Sequence, residues 1–425
     1  MKTKTPITHL SALVLGLTGF TYAGEESDYL PTPPVTNEPD AFGNLVKFTL
    51  DARLRYEFRE TLPFDPSHSG TLRLRPGILL GPEAPFSVFA EGEFTQAFID
   101  DYRSSPPNGG PYTTDPFTAD NSVIGDPNNG ELNQLWASYS DYGFTAKIGR
   151  QRIIRNGAAF IGNVGWRQNE QTFDAAAIDY KGDNFSLSYA YSDRVQRIFG
   201  DDANDALPGP PLHDFEGDFH FIDATFQSPV GELGAYAYLI DVDNNASVGE
   251  SNTFGLFGTF SGLYAELAFQ TGDGLTSDGI DDYDSLYAHL KYSQKAFGST
   301  FMAGVEYLGD GFKTPFATVH AFNGFADAFI LNRIGLSNQG GEFDGVTDIY
   351  LGYVRPNLPG GITFKAFLHY FADSEFDDTY GWEADAILAK KLSDSVTLTA
   401  KAAYFAGDDT YDDIKQVTVQ ADFKF

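Results

Sequence analysis

The chain has 425 residues, a formal net charge of -31 and no cysteine. That length suits roughly two or three ordinary domains or one large β-barrel, and the acidic balance argues against nucleic acid as a partner. Disulfides are excluded, and aromatic residues reach 15% although the mean hydropathy is only -0.25.

At the amino end, Lys2 and Lys4 precede an apolar run from Leu10 to Phe20, followed by Thr21, Tyr22 and Ala23. This is the pattern of a secretory signal peptide cleaved after Ala23. A membrane-spanning helix needs about 20 apolar residues, more than the run supplies. Residues 24–44 are rich in Glu, Pro, Asp and Asn and read as a flexible periplasmic leader. Residues 45–425 then form one unit.

The segment from Lys47 to Arg59 sets the pattern for that unit. Phe48, Leu50, Ala52, Leu54, Tyr56 and Phe58 take one parity, and Lys47, Thr49, Asp51, Arg53, Arg55, Glu57 and Arg59 take the other. Side chains alternate faces along a strand, so one face is apolar and the other polar. The same alternation recurs near 71–80, 86–95, 132–140, 143–149, 173–181, 185–194, 218–228, 232–241, 252–260, 263–271, 284–294, 299–308, 346–354, 362–372, 382–391, 396–406 and 415–425. This predicts an all-β, transmembrane, antiparallel up-and-down barrel of about 18 strands, an even number as in single-chain bacterial barrels. Short connections such as Asp141–Tyr142 and Ser261–Gly262 alternate with longer, mostly acidic ones at 96–131, 150–172, 195–217, 242–251, 272–283, 309–345, 373–381 and 407–414. Short periplasmic turns against longer external loops place the chain in the outer membrane of a Gram-negative bacterium, in contact with lipid and lipopolysaccharide. The last strand puts Val417, Val419, Ala421, Phe423 and Phe425 toward lipid. Its terminal Phe425 resembles the signal read by the barrel-assembly machinery.

Arginine is concentrated in the first half, where 12 of the 14 lie between Arg53 and Arg197. Arg53, Arg55, Arg73 and Arg75 all take the polar parity and should form a cationic stripe inside the wall. Guanidinium binds carboxylate through two parallel hydrogen bonds and stays charged, so the stripe suits an anionic solute. The competing reading is a ladder of wall salt bridges to Asp51, Glu57, Glu91 and Glu93, which face the same way. Arg150 and Arg152 share the parity of Ala146 and Ile148, and a charge facing lipid at mid-depth costs roughly 2–4 kcal/mol. A bend at Gly149 is therefore expected to turn both arginines inward, with Arg155 and Arg167 on the same loop. The 309–345 segment carries Phe316, Val319, Phe322, Phe325, Phe329 and Ile330, too apolar for a simple external loop, and should pack inside the barrel or plug its mouth.

GRQR at 149–152 and GNVGWRQNEQTFDA at 162–175 resemble motifs of the alginate exporter family of outer-membrane barrels. FATVHAFNGFADAF at 316–329 and YGWEADAILAKKLSDSVTLTAKAAYFAGDD at 380–409 agree, in the same order. The resemblance implies an 18-stranded barrel whose electropositive lumen conducts an anionic uronate polymer, with loops folded into the pore. By position, Arg150, Arg152 and Arg167 belong to the basic conduit, and Lys365 of the fifteenth strand joins it. Asn169, Phe173 and Asp174 belong to one inward loop, and His320, Asn323, Gly324 and Asp327 to another. The second half has only Arg333 and Arg355. A general or small-solute-selective porin with no polysaccharide role stays open as the alternative.

No motif joins His68, His213, His220, His289, His320 or His369 to a serine nucleophile or an HExxH zinc pair, so no enzyme and no cofactor are expected. The acidic runs Asp241–Asn245, Asp273–Asp284 and Asp373–Asp378 offer oxygen ligands for Ca²⁺ but lack EF-hand spacing, and read as solvated external loops.

Overall fold

The computed structural model describes residues 45–104, 120–200, 213–276, 279–318, 320, 322–335, 344–408 and 411–425. The expected signal peptide and leader lie outside the described residues. Every alternating segment forms a strand: β1 (Val46–Thr61), β2 (Ser67–Leu80), β3 (Phe86–Asp101), β4 (Asn129–Asp141), β5 (Phe144–Gln151), β6 (Thr172–Lys181), β7 (Phe185–Gln196), β8 (Asp214–Ser228), β9 (Gly231–Val242), β10 (Glu250–Phe260), β11 (Leu263–Thr276), β12 (Gly279–Ala296), β13 (Ser299–Leu308), β14 (Val346–Leu358), β15 (Ile362–Ala372), β16 (Thr379–Ser393), β17 (Val396–Gly407) and β18 (Ile414–Lys424). Several run past their predicted ends on the long-loop side, where alternation fades into polar sequence.

Each strand pairs antiparallel with its neighbour in sequence, and β18 pairs with β1 through Ala52↔Phe423 and Phe58↔Val417. The 18-stranded sheet therefore closes on itself without a free edge. Two-residue turns join β4 to β5 at Tyr142-Gly143 and β10 to β11 at Ser261-Gly262. In both, the two residues have positive φ (48° and 82°, then 47° and 86°). That matches the right-handed twist of the flanking strands.

Parity sorts the side chains as the alternation requires. Leu54, Leu72, Ile148, Leu256, Leu267 and Leu351 stand on the outer face and stay exposed, while Arg53, Arg55, Arg73 and Arg75 are buried on the inner face. Aromatic residues frame this apolar belt. Phe144 and Tyr180, 4.5 Å apart, lie at the short-turn rim. Tyr370 and Trp382, 4.7 Å apart, lie at the long-loop rim. Two such girdles mark the membrane interfaces of a transmembrane barrel.

The lumen contains protein. Segments 152–171 and 309–335 leave β5 and β13 and turn inward, and the second holds a single helical turn, α1 (Ile330–Arg333). Phe316, Phe322, Phe325 and Phe329 are buried as their composition requires, and Ile330 is half-buried. Val319 lies outside the described residues. The external-loop expectation for 96–131 needs correction. Strand β3 continues to Asp101, Ile124 and Asp126 are fully buried, and Asp126 accepts the Gln168 N–H of the first inner loop at 2.9 Å. Its polar composition misled because Asp126 pairs with Arg55 of the wall and Arg167 of the first inner loop.

Leu267 lies within the apolar run of β11 and is 67% exposed to the membrane side. Leu267→Arg should destabilise the refolded barrel by roughly 2–4 kcal/mol, whereas Asp241→Arg at the long-loop rim should cost about 0–1 kcal/mol. Urea unfolding in lipid vesicles checks both, and equal costs would place the belt elsewhere.

Candidate conduit and its inner loops

The first inner loop begins where β5 stops. Gly149 has φ 115°, and a Cβ there would collide with the Leu135 carbonyl. Pairing nevertheless continues through Arg150↔Asp174 to Gln151↔Phe173. The strand parity is thus intact at Arg150, which lies opposite Leu135 on the outer face. There its guanidinium takes both Asp174 carboxylate oxygens, at 2.8 and 3.0 Å. The inward turn expected for Arg150 does not occur, because the glycine bends the backbone without breaking the ladder. Arg152, beyond the last pair, does turn inward and binds Glu91 at 2.9 Å and Glu170 at 2.5 Å. Burial opposes its charge, but Glu170 and Glu91 outweigh burial and hold the guanidinium above its ordinary pKa.

Phe173 and Asp174 also need correction. They belong to β6 and not to the loop, since both pair with β5 and β7. Phe173 is fully buried in the lumen, 5.7 Å from Phe221 and 6.0 Å from Phe316. Asn169 is on the loop and donates to the carbonyls of Pro127 and Ile198, both at 3.1 Å.

The expected stripe on β1 and β2 exists, and carboxylates meet each member. Arg53 binds Asp422 at 2.7 Å and Arg55 binds Asp126 at 3.3 Å. Arg73 binds Asp51, and Arg75 binds Glu93 and Glu170. Arg155 reaches Asp179 at 3.4 Å and Asp223 at 3.3 Å. Both readings of the stripe therefore describe one arrangement: a cationic row, laced with salt bridges. Among the described buried residues, carboxylates outnumber Lys and Arg.

A second feature of the same row is a line of backbone carbonyls. Arg53 Nη1 donates to the oxygens of Gly165, Trp166 and Arg167 at 3.0, 2.9 and 3.2 Å. Arg55 Nη2 donates to Trp166 O, and Arg75 Nη2 to Gln168 O at 3.1 Å. Four consecutive carbonyls of the first inner loop thus lie on three wall guanidiniums.

The two inner loops meet within the lumen. Gly162 N–H donates to Phe316 O at 2.8 Å, and Thr318 N–H to Ala158 O at 3.0 Å. Gly162 is required there, since a Cβ would strike Thr318 Oγ1. The Trp166 ring stacks on His320 with centroids 4.5 Å apart and planes 2° from parallel. Arg55 and Lys401 lie over the same indole at 4.2 and 3.3 Å. Arg167 joins Glu57 of the wall to Asp327 of the second loop, at 3.1 and 3.3 Å.

His320 Nδ1 lies 2.8 Å from Asp327, and its Nε2 contacts Lys401 Nζ. Burial pushes the imidazole down to about 3 against the pull of Asp327, so the ring is neutral. Its Nδ1–H donates to the carboxylate and its Nε2 accepts from the lysine. Asn323 donates to Glu306 at 3.0 Å. Gly324, with φ 85°, lies against the Glu383 carboxylate. Lys365 is half-buried on the inner face, between Val354 and Ile387.

Sequence reasoning missed Asp126, Trp166 and Lys401, and the inward carboxylates Glu306, Asp348, Glu383 and Asp385. The strand residues were open to detection: Glu306 has the parity of Met302, and Asp385 that of Ile387 and Glu383. Nothing in the sequence marks Asp126 as an inner residue. Among the acidic runs, Asp373 accepts the N–H groups of Asp377 and Asp378 at 3.0 and 3.2 Å, an internal turn of that loop.

A family model described as alginate export matches residues 44–205. The resemblance to that family therefore holds over β1 to β7 and the first inner loop. Among solved structures, Pseudomonas aeruginosa OpdO shares the fold with a TM-score of 0.61 at 14% identity, over 90% of this chain and 98% of that one. OpdK of the same organism, solved with vanillate, gives 0.63 at 15% identity, over 89% and 98%. OpdQ gives 0.59 at 15%, over 89% and 98%. No curated protein matches the chain.

Two outcomes follow from this geometry. Arg150→Gln should leave ion selectivity in planar bilayers unchanged, and Arg152→Gln should shift it toward cations; the reverse ranking would return Arg150 to the lumen. Arg167→Ala removes the guanidinium shared by buried Glu57 and Asp327 and leaves Asp327 to His320 alone, so unfolding in denaturant should show a loss of about 3–5 kcal/mol.

Proposed function

We propose that this outer-membrane channel passes carboxylate-bearing saccharides of the uronate type, polymeric or oligomeric, by passive diffusion. The observation that carries this reading is the arginine row of β1 and β2, extended across the lumen by Arg152 and Arg167 of the first inner loop. The alginate-export match over residues 44–205 supports the same solute class. A solute carboxylate exchanges with a wall carboxylate at each guanidinium in turn, so charge stays neutralised along the path. Inward Lys365 and Lys401 continue the row on β15 and β17. The outer belt meets outer-membrane lipid and lipopolysaccharide. Passive passage has no intrinsic direction, and the mechanism needs no catalytic group.

A second reading, a small-solute-selective porin, is favoured by one observation: the inner loops touch each other across the lumen, Gly162 to Phe316. A polymer needs a wider continuous path than a small solute does.

The reversal potential of the refolded protein under a KCl gradient separates the two. Anion selectivity, with block by uronate oligomers, is expected. Charge reversal at Arg73, Arg75 and Arg152 together should then abolish the preference. A cation-selective or unselective wild type would overturn the uronate reading and leave the small-solute porin.

A further inference from the structure

Between the Arg152–Glu91 ion pair and the short-turn rim, the inner wall of β3 to β5 is open to the lumen. Phe89, Trp136, Thr145 and Lys147 are half-buried there, and Ser140 is exposed. The register sorts these side chains into levels about 7 Å apart. Phe89 and Trp136 form the level next to the ion pair, Ser87, Ser138 and Lys147 the one below, and Ser140 and Thr145 the last. The two rings have centroids 5.4 Å apart and planes at 38°. Gly77 of β2 makes room for the phenyl ring, since a Cβ there would stand 2.9 Å from Phe89 Cζ. The phenyl ring thus lies along the wall instead of across the lumen. Lys147 Nζ lies over the indole, 4.5 Å from its centroid. Asp179 of β6 is taken by Arg155 at 3.4 Å. The hydroxyls of Ser87 and Ser138 are 2.9 Å apart, as are those of Ser140 and Thr145.

We propose that Phe89, Trp136 and Lys147 form a subsite for an acidic sugar: a pyranose ring lays its C–H face on the two aromatic rings, and its carboxylate meets the Lys147 ammonium. The proposal deepens the uronate reading and rests on it for the charge of the ligand. A sugar ring is apolar on its faces and polar at its rim, and aromatic side chains offer a large apolar area at low conformational cost. Higher in the lumen, the inner loops lay rings of their own on wall rings: Phe160 on Tyr236 at 5.4 Å, and Phe325 on Phe367 at 5.8 Å. A solute ring on Phe89 and Trp136 is the mobile counterpart of those contacts. The serine and threonine hydroxyls one and two levels below suit the hydroxyls of that sugar, or of the next in a chain. The ammonium differs from the guanidiniums of the row in what it holds. Each of those arginines already has a carboxylate, whereas Lys147 rests on an indole, so a carboxylate arriving there displaces no anion. A cation–π contact open to solvent is weak, and the flexible lysine stem lets the ammonium turn from ring to ligand.

The test measures half-block of the KCl current in planar bilayers by trigalacturonate, maltotriose or benzoate, for wild type, Trp136→Ala and Lys147→Gln. Trigalacturonate should block wild type at a lower concentration than maltotriose. Trp136→Ala should raise the half-blocking concentration of both saccharides by about two- to tenfold. Lys147→Gln should raise that of trigalacturonate alone. If Trp136→Ala fails to fold, Phe89→Leu, which keeps apolar bulk and removes a ring, takes its place. Saccharide block unchanged by loss of a ring, or weakened equally for both saccharides by Lys147→Gln, would overturn the subsite. Block by benzoate with none by either saccharide would also overturn it and make the rings a site for aromatic acids. An anion-selective wild type blocked by trigalacturonate, with both variants unaffected, would keep the uronate channel and remove this subsite. Equal block by the two saccharides through Trp136, in a channel without anion selectivity, would overturn the acidic-sugar subsite and the uronate reading together and leave a surface for neutral sugars.

Discussion

A peptide group in hydrocarbon has no water to bond, so a sheet that crosses a membrane must pair every strand on both sides. The β1–β18 ladder meets that requirement, and the rest of the molecule follows from it. Once the sheet closes, polar side chains of every strand share one enclosed space. A net charge of -31 makes that space an electrostatic problem. Charges buried there are stable only when paired and hydrogen-bonded.

The solution divides the lumen into two arcs. The arc of β18 and β1 to β3 carries arginines matched by Asp422, Asp51 and Glu93. The arc from β8 to β13 pairs tyrosines with carboxylates: Tyr238 with Asp223 at 2.6 Å, Tyr264 with Glu266 at 2.7 Å, and Tyr287 with Glu306 at 2.9 Å. Between the arcs lies an aromatic core. Phe160 of the first loop packs 5.1 Å from Tyr287 of the wall and 5.9 Å from Phe312 of the second loop. Porins keep a water-filled channel in this position, and other membrane barrels fill it with loops or a helix. Here the apolar contacts and the ion pairs together fix two loops that otherwise cost conformational entropy to order.

The barrel was legible from alternation because a strand with lipid on one side and a polar lumen on the other has the strictest period in sequence. The short turns at Tyr142-Gly143 and Ser261-Gly262 punctuate that period and kept the strands in phase. The burial of segment 309–335 was legible for a related reason: its phenylalanines have no place outside. What failed was local. Parity alone placed Arg150 correctly, on the outer face, and the expected bend at Gly149 displaced it wrongly, since a glycine permits a bend without enforcing one. Phe173 and Asp174 were assigned to a loop although they extend the strand that follows. Asp126 and Trp166 act through contacts with residues about 40 to 235 positions away, and a period-two pattern carries no information about such contacts.

The dense pairing of the arginines bears directly on what the lumen can conduct. A buried guanidinium without a partner would hold an anion too firmly to release it. With a wall carboxylate or a loop carbonyl already bound, the gain for an arriving carboxylate is the difference between two similar interactions. Small differences repeated at several adjacent sites are what conduction requires, since each site must be easy both to enter and to leave. Arg53, Arg55, Arg75, Arg152 and Arg167 form such a series, each with its resident partner. The salt bridges that neutralise the row are therefore compatible with the passage of an anionic solute proposed above.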